Sequence, residues 1–101
     1  MSEKATNIVE SFHNDEIGYK EWFYSNLNGY IFNHFGTAEM NKLHHASCST
    51  LKTKKYEGRW TSYEKFCSND LRALVKEADQ VTKVGWSFCK LCEKKGLLFL
   101  R

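Results

Sequence analysis

Two short spacings in this chain join residues able to hold a metal: Cys89-x-x-Cys92 near one end and His44-x-x-x-Cys48 near the middle. Thiolate sulfur and imidazole nitrogen are the donors that a structural zinc ion gathers into a closed tetrahedral shell. Local pairs suit that task, because each pair closes only a short loop and a single long closure then joins the halves. The expected site is therefore His44, Cys48, Cys89 and Cys92 around a structural Zn²⁺. The fourth cysteine, Cys67, leaves an alternative open: it can replace His44 in a four-cysteine site or lie buried as an apolar thiol. Charge distinguishes the two sites. From a formal net charge of +3, a zinc ion on three thiolates leaves +2 and one on four thiolates leaves +1, with a more nucleophilic centre. His45 is the neighbouring candidate, but adjacent residues of a strand point to opposite sides, so only one of the two histidines faces the ion. A metal-free redox pair is the other use of Cys-x-x-Cys. Such a motif opens a helix directly after a strand, which the Trp86-Ser87-Phe88 approach and the lysine-rich exit do not suggest.

The elements that must carry these residues follow from periodicity. Ile8, Val9 and Phe12 fall at helical spacing, so residues 1–12 read as a frayed helix. Ile17, Trp22, Phe23 and Leu27 leave a polar face over 15–27, with Asn14 as the N-cap of a helix. After Asn28-Gly29, residues 30–35 are aromatic and β-prone, with Gly36 marking a turn. Lys42-Leu43-His44 reads as a second strand that delivers the histidine, followed by an irregular basic loop over 49–61. Residues 63–67 alternate, with Tyr63, Lys65 and Cys67 on one face and Phe66 on the other. Ser68 is expected to cap the next helix, with Asp70 in its first turn and Leu71, Leu74, Val75 and Ala78 as its buried stripe. Gly85 ends it, the two-cysteine turn follows, and 97–100 return as a last strand. The expected fold is one α+β domain over 1–101, frayed over 1–13, with a short antiparallel sheet, two to three helices and the metal site.

The stretch Leu43-His44-His45-Ala46-Ser47-Cys48, with Val84-Gly85-Trp86-Ser87-Phe88-Cys89-Lys90-Leu91-Cys92, resembles the metal-binding module of the Ada-type DNA-alkylation response proteins and their short relatives. Upstream, Tyr19-Lys20-Glu21-Trp22, Gly29-Tyr30-Ile31-Phe32-Asn33 and Lys65-Phe66-Cys67-Ser68 are similar to a family of small uncharacterised bacterial proteins. The resemblance to the Ada-like module implies a DNA-associated metal domain. It does not carry over methyl transfer: the position of the methyl-accepting thiolate is His44 here, which has no sulfur to alkylate, and the half-sites stand further apart than in that family.

Lys52, Lys54, Lys55 and Arg59 alternate with Tyr56, Trp60 and Tyr63, a pattern in which cations hold phosphates while rings stack on bases. The same residues suit a solvated loop whose rings turn inward over the zinc. The expected role is a non-catalytic, zinc-stabilised nucleic-acid-binding accessory domain. Its alternative is a zinc-stabilised protein-interaction module that uses the ring-rich helix Tyr19-x-x-Trp22-Phe23-Tyr24. No phosphate loop, nucleophile elbow or carboxylate pair argues for an enzyme, His13 and His34 are isolated, and no small-molecule substrate is expected. At 101 residues with 42% hydrophobic content the chain suits one core. The first ten residues lack a secretory apolar stretch and the apolar run 97–100 is far shorter than the roughly 20 residues of a membrane span, so the expected location is cytoplasmic, without membrane contact.

Overall fold

The computed structural model describes residues 8–48, 51 and 58–98. Strand β1 (Glu10–Phe12) leads into helix α1 (Glu16–Ser25) through Asn14, whose φ of 55° lies in the left-handed region. Asn14 thus makes the turn, and Asp15 makes the cap: its carboxylate accepts from the Gly18 amide at 2.9 Å. Strands β2 (Tyr30–His34) and β3 (Lys42–His45) form an antiparallel pair. After them come β4 (Glu64–Ser68), helix α2 (Leu71–Val81), the two-residue strand β5 (Ser87–Phe88) and the short helix α3 (Lys90–Lys94).

The strand order is β1-β4-β2-β3-β5, antiparallel throughout except that β5 runs parallel to β3. Among the described residues, three helices and a short, mostly antiparallel sheet make this an α+β fold. Register decides which side chains share a face. Ile31 is paired with both His44 and Cys67, and Asn33 with both Lys42 and Lys65, so all six point to one side of the sheet. That side meets α1, where Tyr19, Trp22 and Phe23 are buried. On the other side Phe32, Leu43 and Phe66 pack against Leu71, Leu74 and Ala78 of α2.

Several local expectations are corrected. Residues 10–12 are a strand, not the end of a helix: their backbone pairs with β4, and Phe12 meets Tyr19 edge-on with centroids 6.2 Å apart. The cap of α2 is Asp70, which accepts from the Ala73 amide, while Ser68 Oγ accepts from the Asp70 amide at 3.0 Å. Leu97 and Leu98 are not in a strand, because the Leu97 amide turns back to the Cys92 carbonyl at 3.0 Å. Residues 99 and 100 of that expected strand, and 1–7 of the expected first helix, lie outside the described residues. Gly29 is needed where β2 enters over α1: a Cβ there would stand 2.7 Å from the Trp22 ring.

Candidate metal centre

Three parts of the chain meet at the edge of the α1 side. His44 is delivered by β3 and faces inward, while His45 points to the opposite side and meets Tyr30 edge-on at 5.5 Å. After β3 the chain turns sharply, with the Cys48 amide donating to the His45 carbonyl at 2.9 Å, and this turn brings the Cys48 sulfur back toward the histidine. Parallel pairing of β5 with β3 then sets Cys89 beside them, its amide donating to the Leu43 carbonyl at 2.9 Å. Cys89 stands at the N-terminal edge of α3 and Cys92 lies one helical turn later, so both sulfurs project to the same side.

The ligand atoms of His44, Cys48, Cys89 and Cys92 all lie within 4.8 Å of one another, and all four residues are buried. The Cys48 and Cys89 sulfurs are 3.8 Å apart, far beyond the roughly 2.05 Å of a disulfide, and no disulfide joins any of the four cysteines. His44 Nδ1 is buried with no hydrogen-bond partner among the described residues. An orphaned nitrogen costs about 1–3 kcal/mol unless something accepts its lone pair, and a metal ion does so. Burial, with Lys65 and Lys42 adding to it, pulls the pKa of His44 down to about 4, so the ring is neutral and able to ligate at neutral pH. Burial pushes the Cys92 thiol up to about 12, against an amide hydrogen bond from His45, with Cys48 and Cys89 nearby raising it further. Without a cation the Cys92 thiol keeps its proton; a bound dication reverses that preference. The four residues can therefore hold a metal ion.

Cys67 is not among them. It shares the inward face with His44, but Ile31 stands between the two, which puts their strands about 9.6 Å apart. It is fully buried in the core beside Ile31 and α1, and burial raises its thiol well above the usual range. The expectation about the two-cysteine turn also changes: Cys89 does open a helix directly after a strand, as a redox pair would. What distinguishes it is the presence of His44 and Cys48 within ligand distance of both sulfurs.

Of the residues expected to meet nucleic acid, Lys52, Lys54, Lys55 and Tyr56 lie outside the described residues. Arg59 and Trp60 are described, and Glu16 fixes their turn. Its carboxylate accepts from the Trp60 amide at 2.9 Å and from the Thr61 hydroxyl at 2.6 Å and amide at 2.5 Å. Burial alone would raise the Glu16 carboxyl, but these hydrogen bonds and nearby Lys20 outweigh it and hold the pKa below the usual value. Lys20 also places its ammonium 5.1 Å from the Trp60 ring centroid, a cation–π distance.

Beside the centre lies a cavity of about 250 Å³ walled by Lys42, Lys65, Arg59 and His44, with Trp60 and Tyr63 among its rings. Lys42 and Lys65 were missed as site residues in the sequence. The available signal was the alternation of 63–67, which puts a lysine on the same inward face as Cys67. A wider depression of about 520 Å³ runs along α2, but Asp70, Arg72, Lys76 and Glu77 give it both signs of charge and no aromatic wall. No helix among the described residues is long and apolar enough to cross a membrane. Comparison of the chain with protein-family models, curated proteins and solved structures finds no match.

Proposed function

We propose that this protein is a non-catalytic, zinc-stabilised accessory domain that binds nucleic acid. The observation that carries the zinc half is the convergence of one imidazole and three thiols within 4.8 Å. Two thiolates on one tetrahedral zinc, with bonds of about 2.3 Å, stand about 3.8 Å apart, and Cys48 and Cys89 have that separation. Soft sulfur with imidazole favours zinc over the hard cations, and four protein ligands fill the tetrahedral shell, as in structural rather than catalytic sites. Cysteines held as metal ligands and not as disulfides suit a reducing compartment, which supports a cytoplasmic location.

The nucleic-acid half is supported by Arg59 and Trp60 standing with Lys42 and Lys65 around one cavity, and by the resemblance to a DNA-associated module, which serves as analogy only. Binding to single-stranded and duplex oligonucleotides, titrated with salt, tests it. Three phosphate contacts on a single strand give a slope of log K against log salt near −2, at about −0.7 per contact. Salt-insensitive binding, or none at low salt, refutes it. A protein-interaction role is favoured by one observation: Ile17, Tyr24 and Leu27 on and just beyond α1 are 75%, 55% and 56% exposed. A second copy of the chain is the occupant to test, by sedimentation across a concentration series; a mass that stays monomeric removes it.

A further inference from the structure

We propose that Cys89 is an oxidation site: a hydroperoxide oxidises its sulfur, Cys48 closes a disulfide onto it, and the metal ion leaves. This rests on the zinc reading proposed above and adds a chemistry to that centre. Zinc on three thiolates and a neutral imidazole carries a net charge of −1, so its sulfurs keep electron density that an electrophile can take. The three sulfur ligands are not equivalent. Cys89 is 8% exposed, against 4% for Cys48 and 1% for Cys92, so it is the one a water-sized oxidant reaches first. It directly follows the two-residue edge strand β5, and Lys90 and Leu91 after it are exposed. Thiolate character with exposure is what selects a cysteine for oxidation.

Hydrogen bonding separates the sulfurs further. The His45 amide donates to the Cys92 sulfur at 3.4 Å, and such a bond stabilises a thiolate while lowering its nucleophilicity. No N–H among the described residues donates to the Cys89 sulfur. The Cys48 sulfur stands 3.8 Å from it, a few tenths of an ångström beyond the roughly 3–3.5 Å of an attacking pair. Cys67 takes no part, being fully buried with Ile31 between it and the centre.

The reaction has two steps. An oxygen of hydrogen peroxide bonds to the Cys89 thiolate as the O–O bond breaks; hydroxide leaves, and the sulfur, oxidised by two electrons, becomes a sulfenic acid. The Cys48 thiolate then attacks that sulfur: the S–S bond forms, the S–O bond breaks and a second hydroxide leaves. Both hydroxides take protons from solvent and end as water. Only His44 and Cys92 remain to hold the ion, half of a tetrahedral shell, so it is lost. The disulfide ties the turn after β3 to the start of α3, which keeps Cys89 in place without the ion. Cys92 has lost its metal bond, and the helix beyond Cys89 is released. Chelation, by contrast, frees Cys89 as well.

The test treats the full, zinc-loaded chain and its Cys67→Val variant with hydrogen peroxide, beside glutathione as a thiol of ordinary reactivity. Zinc release is followed with a weak chromogenic chelator, disulfides by peptide mass mapping, and the backbone by hydrogen exchange. One zinc is expected to leave for each Cys48–Cys89 disulfide formed, equally in parent and variant, with Cys67 of the parent still reduced; excess dithiol with zinc restores the starting state. The amides of Glu93 and Leu97, bonded to the Cys89 and Cys92 carbonyls at 3.0 Å, are expected to lose protection while that of Cys89 keeps it. Zinc retained at a peroxide dose that fully oxidises glutathione overturns this inference and leaves the zinc reading standing; a chain that takes up no zinc overturns both. Release that is accompanied by oxidation of Cys67, or abolished in Cys67→Val, overturns the place of oxidation. A Cys89–Cys92 disulfide, or release without any disulfide, overturns the pairing with Cys48.

Discussion

Removing the ion should release one segment and leave the rest folded. Strand β5 has two residues and α3 has five, of which Cys92 alone is buried. Fixing residues 87–96 costs about 1 kcal/mol each, about 10 in all. Their backbone bonds to the sheet, Ser87 to Asn41 at 3.0 Å and Cys89 to Leu43 at 2.9 Å, return about 1 kcal/mol apiece. Burial of Cys89, Cys92 and part of Phe88 returns a few more. The structural zinc proposed here would contribute about 10 kcal/mol or more, so the segment should be closed with the ion and open without it. At about 1.4 kcal/mol per tenfold, the amides of Cys89, Glu93 and Leu97 should lose at least about 10³ in protection on chelation. The Leu74 amide, bonded to Asp70 at 3.1 Å in the separate core under α2, should keep its protection. Hydrogen exchange with and without a chelator reads both sets. Unchanged exchange at Cys89, Glu93 and Leu97, or an equal loss at Leu74, would refute a clasp of this kind.

Three further outcomes are expected. His44 titrates at about 4 when folded and near 6.5 when unfolded, so the unfolded chain takes up the proton first as pH falls. Stability is then intact above pH 6.5 and lost towards pH 4, by about 3 kcal/mol at about 1.4 kcal/mol per tenfold in proton affinity; acid titration followed by fluorescence and metal release should show both losses in that window. Cys67→Ser buries a hydroxyl at a fully enclosed position and should cost about 1–3 kcal/mol in urea unfolding, whereas Cys67→Val should cost less; equal costs would mean that the site tolerates polarity. Glu16→Ala removes an acceptor used by Trp60 and Thr61 and should cost about 2 kcal/mol, with faster exchange at those two amides; no change at either would show that the turn is held by something else.

Much of the architecture was legible because alternation and helical spacing were strong where burial is strong. Lys42-Leu43-His44 and 63–67 had the strand period, and Leu71, Leu74 and Ala78 gave α2 its stripe. The two strand-end histidines were separable by period alone, since His44 and His45 must diverge. The edges were harder to read. Residues 10–12 have no strand alternation of their own, and they become β1 only because β4 offers an edge to pair with. Asn14 and Asp15 are both good caps, and the left-handed backbone at Asn14 decides between them. Helix α3 is too short to show a period, so its position after β5 was invisible. Cys67 was an open rival because the sequence could place it near the metal but could not show Ile31 standing between. The cavity lysines were hidden for a different reason: Lys42 and Lys65 are brought together by register across three strands, and no local spacing records that.

Metal analysis of the protein purified without added metal tests the central claim most directly, with Cys92→Ser and Cys67→Val prepared alongside. One zinc per chain is expected in the parent and in Cys67→Val, and a loss of most of it in Cys92→Ser. Zinc absent from the parent, or retained by Cys92→Ser and lost from Cys67→Val, would contradict a centre built from His44, Cys48, Cys89 and Cys92.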